Sequence, residues 1–293
     1  MDTPVTSTSP LAHRLKRLGH LDLPGGGQVV VQGNYAFVGH MDPPHGTTIV
    51  DVSDPRRPRV VAEIKLDSAD EHSHKVRVVG DIMYTNVERP SRRFAAKAVR
   101  LAKTRADMEK ALGRAPTAAE LADRIKVTPS QLAQLEEWSR DGFPNAGIRV
   151  WDISDVAKPR RIAHIRTGGV GVHRFDVDGN YAYLSTGMEG YGGNILINYD
   201  VKDPARPQEV SRWWLPGQHI AGGETPEGPY EDWHLHHAMR CGDHLWAGCF
   251  NAGLRVIDVS DITRPRTVGA YNYHPPIGDP THTVLRVPHK VAG

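Results

Sequence analysis

Apolar positions in this chain fall into short runs, and the runs fall into groups. TTIV (47–50), IRVW (148–151), NILINY (194–199) and LRVI (254–257) follow Gly46, Gly147, Gly193 and Gly253, and each stops at an aspartate. Short β-branched-rich runs bounded by Gly and Asp predict strands rather than helices. The aspartate opens a phrase that recurs four times: DVSDPRRP (51–58), DISDVAKP (152–159), DVKDPARP (200–207) and DVSDITRP (258–265). Asp and Ser side chains bond backbone two residues on, and Pro fixes φ. The phrase therefore predicts a tight connection to a further strand such as VVAEI (60–64) or RRIAHI (160–165). Upstream of each stands a second recurring phrase, QGNYAFV (32–38), VGDIMYT (79–85), DGNYAYL (178–184) and CGDHLWA (241–247). Its Gly-Asn or Gly-Asp between β-rich runs predicts a hairpin turn.

Each unit thus reads strand, Gly-Asn/Asp turn, strand, loop, strand, Asp-Pro turn, strand. Four short antiparallel strands repeated in series, with a period of about 45 residues, predict the blades of a β-propeller. The wording of the blades, as in AGLRVIDVSDITRPRTVGAY (252–271), resembles the LVIVD-repeat β-propeller proteins. That resemblance runs over roughly residues 20–290 apart from one insertion, and it implies the fold rather than an activity. The predicted fold class is all-β: a propeller of four-stranded antiparallel blades over 24–293, with a helical insertion at 91–140 in the second blade. Four blades are substantially present, and a fifth is incomplete. Residues 1–23 read as an N-terminal arm whose end, AHRLKRLGHLDL (12–23), looks like a closing outermost strand. HTVLRVPHKVAG (282–293) begins like an innermost strand and then stops. The expectation is a chain shorter at its C-terminus than a complete family member, or closure by another subunit or an irregular strand.

The candidate chemistry lies in histidines held in one register. Six residues before the hairpin glycines Gly80, Gly179 and Gly242 stand His74, His173 and His236, and His282 opens the next inner strand. Only the first blade differs, with Gly27 before Gly33. Inner strands line a propeller's channel, so four imidazoles from four blades are expected to converge at its mouth as a metal site. The residues that follow each histidine differ (KVRVV, RFDVD, HAMRC, TVLRV), which weighs against simple inheritance by duplication. Imidazole suits zinc, copper and iron, and a divalent transition metal (iron, copper, manganese or zinc) is the expected cofactor. Glu71, Glu231, Asp232 and Asp279 precede these histidines and are candidates to orient them. Glu88 and Glu189 follow second strands and are candidate catalytic bases. His40, His219, His237 and His274 are further candidates on the same face.

The segment 91–140 is rich in Ala, Leu, Lys, Arg and Glu, with capping boxes at Thr117–Glu120 and Thr128–Gln131. It predicts helices at about 93–112, 117–125 and 129–139. Part of it, ALGRAPTAAELADRIKVTPSQL (111–132), resembles the helix-turn-helix of sigma-70-type factors. A helical pair tethered at both ends to a blade is poorly placed to enter a groove. A lid over the histidine face is the expected role, and nucleic acid is not an expected partner. The loop 216–235, with Trp213, Trp214, Tyr230 and Trp233 nearby, is a second candidate wall.

Composition narrows the classes. Thirty-six basic residues against 34 acidic give a net charge of +2, too even to favour nucleic acid or a membrane surface. No run approaches a membrane span, the first residues lack the apolar core of a signal peptide, and two cysteines make no disulfide framework. A cytoplasmic location is expected. No GxSxG, HExxH or P-loop motif occurs. Carotenoid-cleaving oxygenases, propellers that hold iron with four histidines, offer an architectural analogy without likeness along the chain. The function expected is a metal-dependent enzyme, an oxidoreductase or oxygenase acting on a small organic substrate. The alternative is a non-catalytic propeller serving as an interaction platform.

Overall fold

The structure is a computed structural model describing residues 16–225, 233–274, 277–278 and 280–287. Sixteen strands form four antiparallel sheets of four, each in simple chain order. Blade one holds β1 (Gly26–Gln32), β2 (Tyr35–His40), β3 (His45–Asp51) and β4 (Arg59–Lys65). Blade two holds β5 (Val76–Val79), β6 (Ile82–Val87), β7 (Gly147–Asp152) and β8 (Arg160–Arg166). Blade three holds β9 (Val172–Val177), β10 (Tyr181–Gly187), β11 (Asn194–Asp200) and β12 (Gln208–Trp213). Blade four holds β13 (His237–Cys241), β14 (His244–Gly248), β15 (Leu254–Asp258) and β16 (Arg266–Tyr271). This is the expected propeller of four-stranded blades with a helical insertion.

The recurring phrases do local work. Asp51, Asp152, Asp200 and Asp258 each accept, through Oδ1, the backbone N–H two residues on, at 2.9–3.0 Å. In three blades the other carboxylate oxygen accepts an arginine that opens the next strand: Arg59, Arg160 and Arg266, each at 2.8 Å. Blade three substitutes Lys202 on Asp200, at 3.0 Å. The hairpin glycine Gly80 takes φ +57°, a region that favours glycine. Every blade also breaks register between its third and fourth strands, at Ile49/Val50, Val150/Trp151, Asn198/Tyr199 and Val256/Ile257, and blade one does so again at His45/Thr47. A bulge there adds twist to the outer edge.

The core lies between blades. Phe37, Ile49, Val76 and Met83 pack blade one on two; Tyr84, Ile148, Phe175 and Leu184 pack two on three; Tyr183, Leu196, Ala238 and Leu245 pack three on four. Neighbouring inner strands touch in sequence, β1 to β5, β5 to β9 and β9 to β13.

After blade four, Thr281 bridges Phe250 as Ser73 bridges His40 at the start of blade two. Residues 282–287 then run on without a ladder, where a fifth inner strand would begin. Within the expected closing strand at 12–23, residues 16–23 form none, and 12–15 lie outside the described residues. The segment instead passes the β3–β4 turn, where a Cβ on Gly19 would lie 2.2 Å from the Pro55 carbonyl.

Three helices fill the excursion between β6 and β7: α1 (Arg92–Leu112), α2 (Ala118–Ile125) and α3 (Pro129–Asp141). Both capping boxes are formed, on Thr117 with Glu120 and on Thr128 with Gln131. Leu101, Leu121, Leu132 and Leu135 give the insertion a small core of its own. Among the described residues no helix is long and apolar enough to cross a membrane.

Candidate metal centre

Inner strands, or the residues that enter them, set His74, His173 and His236 in a row, and His282, in a segment without strand structure, extends it. The rings of His74 and His173 lie 5.1 Å apart between centroids, those of His173 and His236 5.5 Å, and those of His236 and His282 3.7 Å. His72 extends the row, 4.3 Å from His74. The row runs from buried His74 and His236 to exposed His282, which leaves one end open to solvent.

Glu88 is the hub. It is 1% exposed, bridging strand-like to His72 on one side and Gly171 on the other. Its Oε1 lies 2.9 Å from Nδ1 of His173, 3.3 Å from Nδ1 of His74 and 3.8 Å from Nε2 of His72. At His74 the approach lacks hydrogen-bond geometry, so that buried Nδ1 has no hydrogen-bond partner. Donor atoms of His72, His74 and Glu88 all fall within 4.8 Å of one another.

Close backbone approach makes this assembly possible. Gly171, at φ +99°, lies where a Cβ would meet the Val87 carbonyl at 2.3 Å and Glu88 Cα at 2.6 Å. Gly27 explains why the first blade departs from the histidine register. A Cβ there would sit 2.7 Å from the His74 carbonyl and 2.8 Å from its Cβ. Asn86, fully buried, accepts the backbone N–H groups of His74 (3.0 Å) and Lys75 (2.8 Å) and donates to the Val172 carbonyl at 2.9 Å. That amide pins the His74 loop to the start of β9.

The Nδ1 edges of three registered rings turn to oxygen. His173 meets the Glu88 carboxylate and His236 the His282 carbonyl at 2.5 Å, while His282 meets the Thr283 hydroxyl at 3.2 Å. Carboxylate and carbonyl oxygens only accept, so these bonds place the proton of His173 and His236 on Nδ1. Nε2 is then the nitrogen such a ring offers to a metal. Burial, reinforced for His74 by Lys75 and other cationic neighbours, pushes His74 and His236 down to about 2. Both rings are therefore neutral at physiological pH, the form that ligates. Burial and the neighbouring Arg174 also bring the Lys75 ammonium down to about 8.

The remaining candidates disperse. Glu71 is buried but belongs to another network: it accepts Arg149 at 2.7 and 2.8 Å and Asn145 at 2.7 Å, and makes no contact with the histidines. An adjacent arginine captures it, so it anchors the loop instead of orienting a ring. Glu189 is exposed in the turn after β10, with no contact to the row. Glu231, Asp232, Asp279 and Tyr230 lie outside the described residues. His40 is held by the Thr48 hydroxyl at 2.7 Å and by the Pro24 carbonyl, and His219 stacks on Tyr191 at 4.6 Å. His274 packs on Tyr273. Trp213 is buried in the core between blades three and four, and Trp233 packs against that core. His72 and Phe250 were not singled out by the register. His72 had a signal: His-Ser-His in an extended segment puts both rings on one side. Phe250 packs on His236 at 4.9 Å with no such signal.

A family model for the LVIVD repeat matches residues 26–64 and 241–273, which span blade one and most of blade four. The chain carries LVIVD repeats. The helix-turn-helix resemblance of 111–132 is not borne out. No curated protein matches this LVIVD propeller in sequence. Among solved structures it is similar to a 6-phosphogluconolactonase-type protein described for Bacteroides uniformis, at 13% identity and TM-score 0.49, covering 84% of this chain and 54% of that one. It is similar to apo AztD from Citrobacter koseri at 10% identity and TM-score 0.45, covering 88% and 50%. A third likeness is to the computationally designed protein Ika4, at 8% identity and TM-score 0.44, covering 82% and 96%. The LVIVD chain thus spans about half the length of the two natural proteins. At these identities and TM-scores the likenesses carry no argument about activity.

Proposed function

We propose that His74, His173, His236 and His282 bind a divalent transition metal through Nε2, and that the protein is a metal-dependent enzyme acting on a small organic molecule. The observation that carries this reading is the Nδ1 pattern. Three of the four rings, His173, His236 and His282, turn Nδ1 toward a carboxylate, a carbonyl and a hydroxyl, the arrangement that sets ring angle and tautomer in histidine metal sites. The donor set fits iron, copper, manganese or zinc, since it is mostly imidazole with one carboxylate at hand. A metal held there would supply a Lewis-acid centre, or with iron, copper or manganese a redox centre, and we read the enzyme as an oxidoreductase or oxygenase. Glu88 keeps the proton on Nδ1 of His173 and sets negative charge beside the row. The exposed His282 end is the route for the substrate. The helical insertion, rooted directly after Glu88, serves as a lid near the row.

Elemental analysis of protein purified without a histidine tag tests this, beside His236→Ala and His282→Ala. The expected result is a near-stoichiometric transition metal, lost in both variants while the fold persists by circular dichroism. His282 is exposed, so its variant reports on binding without a core defect. No metal in the wild type, and none taken up on incubation with iron, copper, manganese or zinc salts, overturns the reading. An interaction platform would then lead.

A further inference from the structure

His74 stands where two sets of side chains meet. Its Nε2 serves the histidine row, and the row leaves its Nδ1 unused. That nitrogen is buried without a hydrogen-bond partner, in a residue 3% exposed. It lies 3.3 Å from Oε1 of Glu88, out of line for a hydrogen bond, and the same oxygen lies 3.8 Å from Nε2 of His72. Donor atoms of the three residues thus close on one point, all within 4.8 Å of one another.

The backbone fixes this set. His72 and Glu88 exchange both backbone hydrogen bonds, His72 N–H to the Glu88 carbonyl at 2.7 Å and Glu88 N–H to the His72 carbonyl at 3.0 Å. Residues paired in this way lie directly opposite, with their side chains on one face. His74 comes two residues after His72 and returns to that face, with its own N–H held by Asn86 at 3.0 Å. Ligand atoms about 2.0–2.2 Å from one ion stand roughly 3–4 Å from each other, and the separations of 3.3 and 3.8 Å fall in that range. Two imidazoles and a carboxylate are the protein ligands of many catalytic zinc and ferrous sites, which keep positions open. A buried imidazole nitrogen without a partner is costly, and a cation set between it and the carboxylate satisfies both. The carboxylate has lone pairs enough to accept from His173 and bind an ion at once.

We propose that His72 through Nε2, His74 through Nδ1 and Glu88 through Oε1 hold a divalent cation of their own, of the zinc or ferrous class, beside the histidine row. The inference rests on the metal-centre reading only for the neighbouring ion, because the triad uses ligand atoms that reading leaves to it. Where both sites are filled, the His74 ring lies between two ions as an imidazolate, and its one ring proton leaves to solvent. With three protein ligands against four, the triad is the weaker site and fills on added metal rather than during purification.

The test strips the full chain with a chelator and titrates it with zinc chloride by equilibrium dialysis, beside His72→Ala, Glu88→Gln and His282→Ala. Wild type is expected to take up two equivalents. His72→Ala should lose the weaker one and keep the tighter, and His282→Ala should lose the tighter and keep the weaker. The His72 side chain is 14% exposed, so its variant reports on binding without a deep core defect. Glu88→Gln keeps the side-chain shape, and with its fold checked by circular dichroism it should also lose the weaker equivalent. A second equivalent that survives both triad variants overturns the triad while the row stands. So does a wild type that takes up nothing beyond what His282→Ala abolishes. A single equivalent, kept in His282→Ala and lost in His72→Ala, upholds the triad and removes the row. No uptake in any of the four overturns both.

Discussion

The same residue type meets opposite fates in this molecule according to what surrounds it. Glu71 and Glu88 are both buried carboxylates from one blade, yet the first closes on a guanidinium and the second on imidazoles. His164 on β8 shows the electrostatic side of the same rule. Burial, and then Arg149, Arg166 and Arg161, push its ring down to about 4 from an ordinary 6.5. Its Nε2 is buried without a hydrogen-bond partner. The unfolded chain therefore takes up a proton below pH 6.5 that the folded chain refuses until about pH 4. The stabilisation is complete above 6.5 and is lost as pH falls through that window. His164→Gln cannot titrate, so its stability should fall less on acidification. From about pH 7 to about pH 5 the wild type should lose roughly 1 kcal/mol more than the variant, after discounting for the ring's partial exposure. Urea midpoints at the two pH values measure it, and parallel losses would show that His164 is not the group responsible.

At the scale of elements, the loop carrying His72 and His74 is held by a buried ion pair to β7. Arg149 reaches Glu71 through two bonds and Asp67 through a third at 2.8 Å. Removing one partner of such a pair strands the other charge, so Glu71→Leu or Arg149→Met alone should cost about 3–5 kcal/mol. The double variant should recover most of that loss by urea denaturation. Additive losses would show that the pair does not act as a unit. The contrast also marks what the sequence could tell. The phrases opening at Asp51, Asp152, Asp200 and Asp258 were legible because their chemistry is local: an aspartate, its own backbone, and a basic residue within eight positions. The histidine register was legible because repeats share a frame. Glu71 was misjudged because its partner, Arg149, sits 78 positions away across the insertion, at a distance that no spacing encodes. Asn86 and Gly171 hold the row together through backbone contacts between blades, and their letters alone carry no hint of it.

Inner strands of the four blades touch in series from β1 to β13, and β1 is the first of the series. The consequence is visible on β1, where Val29 is 58% and Val31 62% exposed. Leu285 is 74% and Val287 56% exposed as well. Val76 on the neighbouring inner strand, packed between blades one and two, is 0% exposed. The same substitution therefore separates the two environments. Val→Thr keeps the branched shape suited to a strand and changes only a methyl to a hydroxyl. At Val76 that hydroxyl is buried with no water to bond, a cost of about 1–3 kcal/mol. At Val29 it meets solvent, and the change should stay within about 0.5 kcal/mol. Denaturant midpoints for Val29→Thr, Val31→Thr and Val76→Thr, read at several protein concentrations, decide the matter. A small cost at Val29 and Val31 means β1 faces water in solution. A cost at Val29 that matches Val76 and grows with protein concentration means a second copy covers β1, while one that matches Val76 at every concentration means the chain covers β1 itself.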